Sequence, residues 1–119
     1  MNGVLWVLQI GLMLIFVMDG VLKAFQYEIA KENIPWVRDV PKSLVIFVGY
    51  VEIVAGLGLI IPIVYEHFRI LTPISSFIFV VLMFFATIFH YNRKEYIDIP
   101  FNITLLLMAL FVMIGSMFF

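Results

Sequence analysis

"VGYVEIVAGLGLIIP", residues 48–62, holds one carboxylate, Glu52, inside a run that is otherwise soluble in hydrocarbon. The run has none of the period-2 alternation of a barrel strand, and with its flanks it extends well past the roughly 9 to 11 residues such a strand needs. An α-helix, which satisfies every backbone group within its own segment, remains as the way for it to cross a bilayer. Apolar blocks recur at residues 4–25, 44–65, 70–90 and 101–119, each near the roughly 20 residues that span a hydrocarbon core. With 65% hydrophobic and 13% charged residues, the 119-residue chain is far more apolar than a soluble domain. The reading is an all-α transmembrane four-helix bundle, a single domain over residues 1–119, with the lipid bilayer as its first partner.

Composition also excludes functions. Formal net charge is −1 and the basic residues are scattered, so no stripe tracks phosphates and no nucleic acid is expected as a partner. The absence of cysteine removes disulfides, thiolate metal sites and thiol chemistry carried by this chain itself. No Lys or Arg precedes Lys23, and the first apolar block is longer than a signal-peptide core, so it is expected to be a retained helix. The connection over residues 26–43 is the longest and most polar, either a lid or a plain loop, with Tyr27 and Trp36 as interfacial anchors. The one over 65–69 is so short that the second and third helices must be antiparallel neighbours. Proline follows a carboxylate by two residues at Asp39–Pro41 and Asp98–Pro100, marking the starts of the second and fourth helices. Thr72-Pro73 is expected to cap the third. Pro62, late in the second helix, removes the bond to Gly58 and predicts a kink.

Loops one and three carry Lys23, Lys31, Arg38, Lys42, Arg93 and Lys94, against Arg69 on the other side. The positive-inside rule then puts loops one and three in the cytoplasm and both termini outside. Counted from the loop-one boundary, Glu52 lies about 12 Å deep and Asp19 on the antiparallel first helix about 9 Å deep. Lys23 follows Asp19 by four residues, so the two share a helical face, and the lysine stem is expected to snorkel outward. His90, Thr87 and Asn102 come from the same side of the membrane, whereas Gln9 and Ser116 stand apart in the other half. All four helices therefore supply polar atoms to one pocket. An ionisable residue at that depth is costly in lipid and by default serves a function. Glu52 is expected to be either a structural anchor on Lys23 or a ligand- or proton-binding group. With Asp19 competing for the same ammonium, one carboxylate is left to hold a proton. Gly49 and Gly56 flank Glu52, thinning the helix so that another helix, or a ligand, comes close. No nucleophile-base pair, metal set or cofactor motif is present, so neither catalytic residues nor a metal site is expected.

Several motifs in order resemble the DoxX-like family of small integral membrane proteins. They are Gly20 to Lys23 closing the first helix, the G-x-x-E-x-x-x-G-x-G-L run from Gly49 ending at Pro62, Leu71-Thr72-Pro73 opening the third helix, and His90 followed by Arg93-Lys94-Glu95. Asp19 departs from the small residue this pattern leads one to expect. The resemblance implies a four-helix bundle in a bacterial or archaeal cytoplasmic membrane, and two unlike roles. One is an accessory or assembly (chaperone-like) or ligand-binding subunit, with another membrane protein or a second copy as partner and no catalytic activity of its own. The alternative is a quinone-associated subunit of a membrane oxidoreductase, with quinone as the borrowed cofactor and Glu52 or His90 exchanging its protons.

Overall fold

The computed structural model describes residues 2–118. Four long helices, α1 (Asn2–Phe25), α3 (Lys42–Val64), α4 (Leu71–Asn92) and α5 (Ile99–Phe118), form the bundle. They contain 24, 23, 22 and 20 residues, so at about 1.5 Å per residue each reaches across a hydrocarbon core of about 30 Å. All four are apolar enough to span a membrane. Large apolar side chains point outward from each, among them Val7, Met18, Phe47, Val54 and Phe111, as hydrocarbon solvent permits.

Loop one is more ordered than its polar composition implies. It folds into the short helix α2 (Tyr27–Asn33) and a 3-10 turn at Pro35–Asp39, anchored by the fully buried Ala30 and Val37. The third long helix corrects one expectation. Thr72 does not cap it, because the chain arrives already helical through a 3-10 turn at Glu66–Phe68, and the Thr72 N–H donates to the Arg69 carbonyl at 3.3 Å. With the N–H groups of Thr72 and Ile74 both satisfied by backbone carbonyls, Thr72 turns inward and is buried. Pro41 occupies the N-cap of α3, where its carbonyl accepts from the N–H groups of Leu44 and Val45. At the far end of α3, Pro62 lies inside the helix, and one residue past the Gly58 carbonyl it displaces, the Gln9 amide of α1 donates to the Leu59 carbonyl at 2.8 Å.

Around the bundle the order is α1, α3, α4, α5. Contacts are densest between α1 and α3 and between α4 and α5, and sparsest, among neighbours, where α5 meets α1. Phe16 and Phe79 stack at 3.9 Å between ring centroids in a core completed by Leu12, Leu59, Leu105 and Val112. The α1–α3 pair closes on glycine. A Cβ on Gly20 would sit 2.5 Å from the Gly49 carbonyl oxygen, and one on Gly49 would sit 2.8 Å from both the Gly20 oxygen and the Ala24 nitrogen. Gly56 likewise faces Val17 of α1. Small residues at such a crossing let backbones meet where no hydrophobic force drives helices together.

Backbone cannot give way as a flexible side chain can, so Gly20→Ala and Gly49→Ala should each destabilise the purified protein by about 1–3 kcal/mol. Gly11→Ala, where a Cβ meets nothing within 4 Å, should be neutral or slightly stabilising through helix propensity. Thermal melts in one detergent compare the three; equal melting temperatures would mean that α1 and α3 do not cross on these glycines.

Candidate functional site

The glycine crossing sets the site. It brings Glu52 against α1, where its Oε1 lies 3.0 Å from Lys23 Nζ, while Asp19 Oδ2, one turn before the lysine, lies 2.6 Å from the same nitrogen. Glu52 and Lys23 side chains are almost covered, at 3% and 10% exposure, but Asp19 keeps 35%. The lysine does not snorkel. Two carboxylates hold its ammonium inward and the Trp36 ring lies over it at 5.1 Å, so outward extension would strand both acids without a counter-charge. One ammonium between two ionised carboxylates leaves a negative charge in excess, which a proton or a second cation must balance.

A second polar group forms where α4 ends. Arg93 caps the helix and Lys94 follows in the left-handed conformation, φ 61°, with the Glu95 N–H returning to the His90 carbonyl at 2.9 Å. This is the backbone pattern usually served by glycine. It folds Glu95 back so that its Oε1 accepts from Arg93 Nε at 3.0 Å and lies 2.9 Å from His90 Nδ1. Arg93 also donates to Asp39 Oδ2 at 2.7 Å, tying loop three to the 3-10 turn of loop one. Loss of water pushes the Glu95 carboxyl up, but hydrogen bonds from His90 and Arg93 and their charges outweigh it and hold the group below its ordinary value. Bonds to Asp39 and Glu95 hold the Arg93 guanidinium above its own. Trp36 packs edge-on against Phe89, with Arg93 over the same ring.

The two groups face one cavity of about 700 Å³ beneath the Pro35–Asp39 turn, between α1 and the α4–α5 pair. Asp19, Lys23, Glu52, His90 and Asn102 all line it, with Phe16, Met83 and Leu105 as its apolar floor. Asn102 is buried, yet among the described residues its amide nitrogen has no hydrogen-bond partner. Thr87 is not brought to the cavity: its hydroxyl donates to the Met83 carbonyl one turn back in its own helix, at 2.8 Å. Gly49 and Gly56 act at the helix crossing and do not line the cavity.

Sequence reasoning missed Trp36 as a roof, and it missed Asp39, Arg93, Glu95 and Asp98 as members of the site. Ligand atoms of His90, Glu95 and Asp98 lie within 4.8 Å of one another, a grouping that the spacing of five and then three residues across a helix end does not announce. Arg93 already supplies the positive charge there. The other half of the bundle buries Thr72, which read in sequence as a cap, together with Ser75 and Ser76. Ser116, expected to stand alone there, bonds to the Met113 carbonyl.

Removing the shared cation should cost more than neutralising one acid. Lys23→Met leaves the buried Glu52 carboxylate and the half-buried Asp19 without their shared cation and should destabilise by about 3 kcal/mol or more. Glu52→Gln keeps a hydrogen-bond acceptor for the ammonium and removes the excess charge, and should melt close to the parent. The reverse order in a thermal-melt comparison would show that Glu52, ionised, is the anchor and that Lys23 is dispensable.

A profile of the DoxX-like family matches residues 7–112, from the first turns of α1 to the last turns of α5. No curated protein and no solved structure matches. The matched span includes every residue of the cavity, the whole of α3 and α4 and most of α1 and α5. This multi-pass membrane protein belongs to the DoxX-like family.

Proposed function

We propose that the protein is a non-catalytic, ligand-binding accessory subunit of a membrane assembly, and that the cavity under Trp36 is its binding site. The observation that carries this reading is the buried amide nitrogen of Asn102, unpartnered among the described residues beside a 700 Å³ space. A buried donor left unsatisfied costs stability, and a protein that only needed a packed bundle would do better with an apolar side chain there. The charged trio of Asp19, Lys23 and Glu52 supports the same reading, because a space lined by both ionic and apolar groups fits an amphipathic guest. The Lys and Arg distribution supports an orientation with loops one and three in the cytoplasm and the termini outside.

A quinone-associated role is the second reading. What favours it is His90, which lines the cavity with Glu95 at its Nδ1; such a backed imidazole can pass a proton at its other nitrogen. Stoichiometric quinone in a solvent extract of the purified protein would select this role over the first.

Single cysteines report cleanly in this cysteine-free chain. A small water-soluble thiol reagent should modify Asn102→Cys and Ala86→Cys, which line the cavity, and should spare Leu12→Cys in the closed core. Asn33→Cys and Asn92→Cys, both exposed, should be protected from an impermeant reagent on intact cells. Protection of all cavity positions in detergent would contradict a ligand site, and labelling of both loop positions from outside would reverse the orientation.

A further inference from the structure

We infer that the cavity takes a lipophilic amine, protonated on nitrogen and carrying an oxygen acceptor in the same head, and that it arrives sideways from the bilayer between α1 and α5. The inference rests on the cavity being a ligand site, as proposed above, and adds the chemistry of the ligand and its route.

Charge selects the head. Asp19, Glu52 and Asp98 line the cavity against the single ammonium of Lys23. Arg93 does not line it and is taken up by Asp39 and Glu95. With His90 neutral, the lining carries more negative than positive charge even when one carboxylate holds a proton, so an anionic head is repelled and a cationic one supplies the missing counter-charge. Asp19 is the receiving group. It shares Lys23 with Glu52, yet over a third of its side chain is uncovered, whereas Glu52 is sealed. Trp36, already placed over one ammonium, presents an aromatic ring to the same space, the side chain best suited to hold a desolvated cation. The unpartnered amide nitrogen of Asn102 is a donor, which no ammonium can satisfy; it calls for an oxygen beside the charge.

Lipid-facing geometry selects the route and the tail. Met18 and Phe101 line the cavity while remaining largely exposed on the outer surface of the bundle, at 70% and 57%, with Ile15 beside them. These residues flank the seam between α1 and α5, the loosest junction between neighbouring helices. A guest whose alkyl chain stays among lipid tails in this seam needs only its head enclosed.

The test uses the full chain, purified in a neutral detergent, with Trp6→Phe so that Trp36 alone reports by fluorescence. The probes are 2-(dodecylamino)ethanol, dodecylamine, dodecanol and dodecanoate. Saturable quenching should be strongest with the amino alcohol, and Asp19→Asn should weaken it about tenfold or more, as loss of a partly buried charge partner does. Asn102→Leu removes an unsatisfied group and should fold as well as the parent, so it keeps the test open if Asp19→Asn does not fold; it should abolish the preference for the amino alcohol over dodecylamine. Dodecanol or dodecanoate binding as tightly as the amines, or no change in either variant, would overturn the cationic ligand while leaving a cavity that accepts other guests. No response to any probe, together with a thiol-inaccessible Asn102→Cys, would remove both the ligand class and the binding site.

Discussion

One ammonium shared by two carboxylates holds this bundle's interior to a single arrangement. Lys23 sits between Asp19 of its own helix and Glu52 of α3, and the three can meet only because Gly20 and Gly49 let two backbones approach to where a methyl group would collide with a carbonyl. In a soluble protein hydrophobic burial would press these helices together. In hydrocarbon that force is absent, and close packing with a buried polar contact takes its place. The cost of burying charge fixes depth and register, since a slip of one residue would separate the acids from the ammonium they share.

The loops complete what the helices begin. Asp39 and Glu95, from different loops, converge on Arg93, and Trp36 is held between Lys23 below and Phe89 beside it. The chain between α1 and α3 therefore folds as a roof over the cavity, seated by Ala30 and Val37. The cavity wall is tight on the α3 side, where glycines close the crossing, and loose on the α5 side. That asymmetry gives the site a sealed acid, Glu52, and a half-open one, Asp19, from two carboxylates at similar depth.

How much of this could be read from sequence follows from the range of each interaction. The four spans were legible because length and apolarity are local, and Asp19, Lys23 and Glu52 were legible because helical rise converts residue number into depth. His90 and Asn102 followed from the same counting. Thr87 did not, because a threonine in a helix can satisfy itself on the preceding turn, as it does on Met83. The roof was hidden since α2 has only seven residues of mixed polarity, and its stability comes from contacts made after the bundle forms. Glu95 and Asp98 were hidden behind Lys94, a residue that seldom adopts the left-handed turn by which the carboxylates reach His90.

Solid-state NMR in lipid bilayers reads the position of the Lys23 ammonium directly. With 15Nζ-labelled lysine and 13C-labelled carboxylates, one lysine nitrogen, lost in Lys23→Met, should show dipolar coupling to one aspartate γ-carbon and one glutamate δ-carbon at once. That result is expected from contacts of 2.6 and 3.0 Å. A Lys23 nitrogen coupled to Asp19 alone, or to neither acid, would place the ammonium at the interface and contradict the account.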